Sequence, residues 1–281
     1  MKRILVFLLA IILLLPFSAN PAEMLGNGDL DPAKEAFNLT PNVEVATDNP
    51  AEVEPIIHPS VPILMYHVLE DFSGKYEQLY VQPQDFRKQL EYLYKEGYQT
   101  VNLQDILAHW TNSKPLPAKP IVLTFDDGYP SMYRTAFPLL KEFGFKGTFF
   151  LHTAKINTEN GLSTAMILEM STQGMEIGSH TISHPDLTKI SASRLKQELI
   201  SSKQFLEKLL GKPVQSLAYP SGSYNGRVLS ATGNAGYLGA VTTQYGFAES
   251  GQNPFALKRI RINKSDGLEG FITKLKAADS L

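Results

Sequence analysis

The sequence predicts an α/β fold, an irregular β/α barrel with parallel strands inside and helices outside, and three observations predict it. Short apolar runs rich in β-branched and aromatic residues alternate with segments of helical periodicity. The residues that carry chemistry fall at the carboxyl ends of several of those runs, where a β/α barrel presents its working face. The chain has 281 residues, 43% hydrophobic and 19% charged, enough for one barrel-sized core and unlike a disordered or fibrous chain.

Taken in order, Lys2 and Arg3 precede an apolar stretch over residues 4–17. Its length suits a signal peptide and is short for a membrane span. Residues 1–19 therefore read as a signal peptide or, because Phe17-Ser-Ala19 and Asn20-Pro-Ala22 are both poor small-x-small cleavage sites, as an amino-terminal anchor. Either reading puts the rest of the chain outside the cytoplasm, secreted or anchored at a bacterial cell surface. Residues 20–59 are rich in Pro, Asn and acidic side chains with little periodicity, a flexible acidic spacer. From 60 to 281 one catalytic domain is expected. Its strands are expected at 61–66, 100–103, 120–125, 147–151, 175–178, 216–219, 238–242 and 257–262. Helical periodicity fills the gaps: Phe86, Leu90, Leu93 and Tyr94 follow Pro83, and Leu195, Leu199, Leu206 and Leu209 lie between a Ser191 cap and Gly211. The absence of cysteine rules out a disulfide framework, a cysteine-ligated zinc and a lipoprotein anchor. A net charge of -2 speaks against nucleic acid as a partner.

Two motifs carry the chemistry. Thr124-Phe125-Asp126-Asp127-Gly128 follows the run Ile121-Val122-Leu123, and His180-Thr-Ile-Ser-His184-Pro185 follows a second β-like run. Alone, Asp-Asp-Gly is an ordinary turn and a pair of histidines is ordinary surface or core. Together they supply two imidazoles and a carboxylate, a ligand set that leaves a coordination position open for water, as a hydrolytic Zn²⁺ needs. Adjacent carboxylates repel, so the economical division is that one aspartate binds the cation while the other takes a proton from water.

On these motifs the chain resembles the polysaccharide deacetylases of carbohydrate esterase family four, with the NodB homology domain, over residues 61–271. The resemblance implies a NodB-type barrel with Asp126 as base and Asp127, His180 and His184 as ligands of a divalent cation, Zn²⁺ first, with Co²⁺ or Ni²⁺ as alternatives. Ala218-Tyr219-Pro220-Ser221-Gly222 resembles the family's Arg-x-Pro-Tyr/Phe-Gly motif, which implies that the Ser221 N–H helps to hold the oxyanion.

The sequence departs from the family pattern twice. Ala218 stands where many members have an arginine that steadies the base. In Leu257-Lys-Arg-Ile-Arg-Ile262 the period-two alternation puts Arg259 and Arg261 on one face, and an inward arginine needs a buried anion such as Asp126. Arg259 is therefore the candidate replacement, the bland alternative being that both arginines are solvated. No histidine follows His184, so the late acid of many members is missing. His67, ending the apolar run Val61-Pro-Ile-Leu-Met-Tyr-His67, is the candidate acid, against the alternative that it only caps a strand. This early histidine is similar to the circularly permuted subgroup that includes poly-N-acetylglucosamine deacetylases.

The expected reaction is hydrolysis of an acetamide on a cell-surface or extracellular polysaccharide (poly-N-acetylglucosamine, peptidoglycan or a chitin-like glycan), releasing acetate. Two rivals remain: an O-acetyl esterase, and an inactive carbohydrate-binding protein, for which the two departures are the only arguments. A serine-triad hydrolase is weaker, because no Gly-x-Ser-x-Gly elbow occurs. Tyr219, Tyr224 and Trp110 could stack on sugars or lie in the core.

Overall fold

The computed structural model describes residues 60–112 and 114–277; the expected signal or anchor and the spacer lie outside the described residues. The strands are β1 (Ile63–Tyr66), β2 (Gln99–Thr100), β3 (Pro120–Asp126), β4 (Thr148–Leu151), β5 (Glu176–Ser179), β6 (Ser216–Ala218), β7 (Gly239–Tyr245) and β8 (Leu257–Arg261); seven lie where expected, while the strand expected at 100–103 ends at Thr100 because Leu103 already opens a helix. Every pairing among them is parallel. Because β1 pairs with β3 on one side and β8 on the other, seven strands close into a barrel. The short β2 pairs only with the start of β3 and stays outside the ring.

The helices are α1 (Pro83–Lys95), α2 (Leu103–Asn112), α3 (Phe137–Glu142), α4 (Thr164–Thr172), α5 (Ala192–Leu210), α6 (Gly226–Asn234) and α7 (Gly267–Lys276). Their ends follow local chemistry. Pro83 opens α1, where its missing N–H costs nothing, and Phe86, Leu90 and Leu93 are buried, while Tyr94 is 62% exposed at the edge of the stripe. For α5, the Ser191 hydroxyl accepts from Arg194 N at 3.2 Å, and Gly211 ends the helix at φ 66°, a conformation that glycine adopts without a Cβ clash.

Strand alternation divides the core in two. Leu64, Leu123, Phe125, Phe149, Leu217 and Ile260 face outward and meet the helices. Ile63, Val122, Phe150, Ala218, Val241 and Leu257 fill the barrel, together with Leu103, Ile106 and Leu107 of α2. Phe150 fits inside because Gly178 faces it: a Cβ there would lie 2.5 Å from the phenyl ring. At the amino ends of the strands, Leu103 N donates to Glu176 Oε2 (3.3 Å) and Gln104 Nε2 to Ser216 Oγ (2.8 Å), so α2 plugs that end and leaves the carboxyl end for chemistry. Among the described residues, no helix is long and apolar enough to cross a membrane.

Candidate active site

The inward stripes that fill the barrel run on into polar residues at the carboxyl end. One stripe reads Ile63, Met65, His67; others read Val122, Thr124, Asp126, then Phe150, His152, then Gly178, His180, and Leu257, Arg259, Arg261. The period of two that buries an apolar side chain low in the barrel thus delivers a titratable one at the top.

Asp126 and Arg259 form the inner half of the site. Arg259 is fully buried and Asp126 is 2% exposed. The guanidinium grips both carboxylate oxygens, Nη1 to Oδ1 at 2.8 Å and Nη2 to Oδ2 at 2.7 Å. Its other donors reach Thr124 Oγ1 (2.9 Å) and Thr242 O (2.8 Å). Burial alone pushes the Asp126 carboxyl up, but the guanidinium beside it outweighs this and holds it below the ordinary carboxylate range. Asp126 is therefore an anion that keeps a lone pair on each oxygen.

One residue on, the chain turns at Asp127 (φ 81°) and Gly128 (φ 69°), which sends the Asp127 side chain away from its neighbour toward the histidines. Its Oδ1 lies 3.4 Å from His180 Nε2 and 3.5 Å from His184 Nε2. His180 Nδ1 meets Ala218 O at 2.7 Å, so with its proton on Nδ1 the Nε2 lone pair faces the cluster. Burial works against both charged forms, yet mutual attraction wins, pulling Asp127 well below the carboxylate range and raising His180. One carboxylate oxygen and two imidazole nitrogens within 4.8 Å of one another fit a divalent cation of the zinc type. The His184 side chain is 33% exposed against 2% for His180, so the cluster opens on the His184 side.

This upper rim is strained. Among the described residues, four of the six non-glycine residues with positive φ belong to the site's motifs: Asp127, Thr181 (69°), His184 (57°) and Ser221 (54°). Each costs about 1–3 kcal/mol and persists only where its surroundings enforce it. At Ser221 the enforcement is visible in the next residue: a Cβ on Gly222 would meet Thr243 Oγ1 at 2.1 Å, so the turn packs directly on β7. Between the histidines, Ile182 N and Ser183 N donate to Glu198 Oε2 of α5 at 2.7 and 3.0 Å.

His67 is 9% exposed just past β1, where burial lowers its pKa to about 4 while Asp126 and Asp127 pull it back up. Arg261 is half-buried above Arg259 on the same strand. Ser221 follows β6, whose Ala218 carbonyl holds His180. Of the proposed stacking residues, Tyr219 is fully buried with its hydroxyl on Thr232 Oγ1 (3.2 Å), and is core rather than sugar-facing. Tyr224 stacks on it at 5.6 Å, and Trp110 packs against the barrel-filling cluster.

Sequence reasoning missed three neighbours. His152 lies 5.9 Å from His184 between ring centroids, with its buried Nδ1 unpartnered among the described residues and its pKa lowered to about 4 by burial and by Lys155. Lys155 sits 3.2 Å above the Tyr129 ring. Glu198 supports the histidine loop. His152 was readable, since it stands two residues past the inward Phe150; Glu198 was readable as a charge inside the apolar stripe of α5.

Comparison with known proteins agrees with this fold. The polysaccharide deacetylase family model matches residues 113–240. YxkH of Bacillus subtilis, described as a polysaccharide deacetylase, is 33% identical over 226 residues, covering 80% of this chain and 76% of that protein. A poly-beta-1,6-N-acetyl-D-glucosamine N-deacetylase of Staphylococcus aureus is 24% identical across 97% of this chain and 96% of its own length. Among solved structures, the Streptococcus pyogenes deacetylase PplD, in complex with acetate, superposes with a TM-score of 0.73 at 31% identity, covering 77% of this chain and 98% of that one. With its closed barrel and its Asp-Asp and His-x-x-x-His strand ends, the chain belongs to the polysaccharide deacetylase family and is an enzyme of that class.

Proposed function

We propose that this enzyme removes N-acetyl groups from amino sugars of a polysaccharide outside the cytoplasm, poly-N-acetylglucosamine being the first candidate, in a cation-dependent reaction. The observation that carries the reading is the division of two adjacent carboxylates. Asp126 is locked to a buried arginine and Asp127 is turned toward two histidines. The substrate class rests on the Staphylococcus aureus relative, which matches over nearly its whole length. Export rests on the apolar amino-terminal stretch.

Asp127, His180 and His184 would hold the cation, Zn²⁺ by donor type. When bound, such a cation supplies Lewis acidity to a carbonyl oxygen and lowers the pKa of water to about 7. Asp126, kept ionised by Arg259, accepts a proton from the attacking water as its oxygen bonds to the acetyl carbon. The Ser221 N–H donates to the oxygen that gains charge, a contribution of about a hundredfold for a donor of this kind. His67 gives the sugar nitrogen the proton it needs as the carbon–nitrogen bond breaks and acetate leaves. Since burial sets its pKa at about 4, the ring rests neutral at neutral pH, and the proton it passes on is the one that Asp126 has taken from the water.

Acetate release from poly-N-acetylglucosamine, chitin oligomers, peptidoglycan and acetylxylan, by stripped protein and by protein with added Zn²⁺, tests the reading. Release from an N-acetylated glycan only with the cation is expected; release from acetylxylan alone would convert the assignment to an esterase. Asp126→Asn should keep the cation and lose most activity, whereas Asp127→Asn should lose both. Equal cation content in the two variants would mean the pair is divided wrongly.

A further inference from the structure

We infer that Glu198, on the outer helix α5, is a positioning residue for His180 and His184, so that cation affinity is set partly from outside the barrel. The inference rests on the reading that these histidines and Asp127 hold the cation. Glu198 is fully buried, although it lies in the middle of a surface helix. Its Oε2 accepts from Ile182 N (2.7 Å) and Ser183 N (3.0 Å), and its Oε1 accepts from Ser183 Oγ (2.7 Å). Arg194, one turn earlier, neutralises it at 2.7 Å and also donates to Ser183 Oγ at 3.2 Å.

Accounting for the backbone shows what this clamp does. Four N–H groups lie from Thr181 to His184. Thr181 N donates to Ser179 Oγ (3.1 Å) at the end of β5, and His184 N to Thr181 Oγ1 (3.1 Å) within the loop itself. The two between them end on Glu198, a residue of a different element. The loop also begins and ends on left-handed residues, Thr181 at φ 69° and His184 at φ 57°, and a β-branched residue such as threonine holds that conformation only under restraint. On the opposite side, Thr153 N and Ala154 N donate to the carbonyls of Thr181 and Ile182 (3.0 and 2.9 Å). Glu198 therefore closes a clamp that fixes the three residues spacing the imidazoles. Without it, two donors lose their acceptor, and the strained backbone is free to relax and separate the Nε2 atoms.

The test is the Zn²⁺ dissociation constant of the full chain, measured by chelator competition for wild type, Glu198→Ala, Glu198→Gln and Glu207→Ala. Glu198→Ala should weaken binding by about 10- to 100-fold, the usual range for removing a group that orients a ligand. Glu198→Gln should stay within about threefold of wild type, because its amide oxygen can still accept both backbone N–H groups. Glu207→Ala removes another acid of α5, one that accepts from Val214 N at 3.0 Å, and should leave affinity unchanged. Wild-type affinity in a folded Glu198→Ala protein overturns the inference, as does an equal loss in Glu207→Ala, which would mark general helix damage. Should Glu198→Ala not fold, amide hydrogen exchange on the wild-type chain decides: protected Ile182 and Ser183 amides in stripped protein support the clamp, and free exchange there overturns it. A wild-type chain that binds no zinc at all overturns the ligand reading itself, a result distinct from either.

Discussion

The two halves of the site are steadied from opposite sides and by different physics. Asp126 is held from inside the barrel, charge against charge, by a fully buried arginine. The histidine loop is held from outside by a helix that accepts its backbone N–H groups, while Asp127 at the hinge of the two is partly open. Removing one partner of a buried ion pair strands the other charge and costs about 3–5 kcal/mol. Removing an acceptor from neutral N–H donors costs about 1–3 kcal/mol. The inner half should therefore be all-or-none and the outer half graded, which suits the proposed base, which must stay ionised, and the proposed ligands, which must be aimed.

The largest effect follows from breaking the inner pair. Arg259→Met should lower unfolding stability by about 3–5 kcal/mol in urea titrations, because Asp126 would remain buried with no countercharge. The double variant Asp126→Asn/Arg259→Met should recover part of that loss, since the stranded charge is gone. A loss under about 1 kcal/mol in Arg259→Met would put the inner half on the same footing as the outer and break the comparison.

Next comes His67, at the top of an inner stripe but, among the described residues, with no buried countercharge bonded to it. If it hands its proton to the leaving nitrogen, His67→Ala should lower kcat/KM for an N-acetylated substrate by about a hundredfold or more. Hydrolysis of an aryl acetate, whose leaving group departs without a proton, should be spared. Parallel losses on both substrates would remove His67 from the chemistry and leave it as a strand-end residue. Neither result should change cation content.

How much of this was legible in sequence divides along the same line. The inner half was legible because strand periodicity is short and rigid: with a period of two, placing Val122 inward also places Asp126, and Leu257 places Arg259. The same rule places His152 inward two residues past Phe150, although no motif surrounds it. The outer half was less legible. That Glu198 meets residues 182 and 183 depends on how α5 packs on the barrel, which the α5 sequence shows only as an acid inside an apolar stripe. Left-handed turns at Thr181, His184 and Ser221 carry almost no signal, since none is glycine. Tyr219, open in sequence between sugar stacking and the core, lies in the core because a step of one residue from the inward Ala218 reverses the direction of the side chain.

The smallest effect sharpens the comparison most. Ser202 of α5 bonds Ser179 Oγ at 2.9 Å, and Ser179 Oγ in turn accepts Thr181 N, so Ser202 is one link further from the histidines than Glu198. Its other contacts run to Glu198 O (2.7 Å) and Leu199 O (3.1 Å), carbonyls of its own helix, and to the Tyr237 hydroxyl (3.4 Å). Ser202→Ala removes a neutral partner and leaves Ser179 still accepting from Thr181, so it should cost only about 1 kcal/mol of stability. Cation affinity should change by less than about threefold, below the loss expected for Glu198→Ala. The graded order, Arg259 above Glu198 above Ser202, is what separates an inner half ruled by charge from an outer half ruled by hydrogen-bond geometry. A Ser202→Ala protein as damaged as Arg259→Met would show that the whole buried seam under the histidines acts as one unit, and the division into two halves would fail.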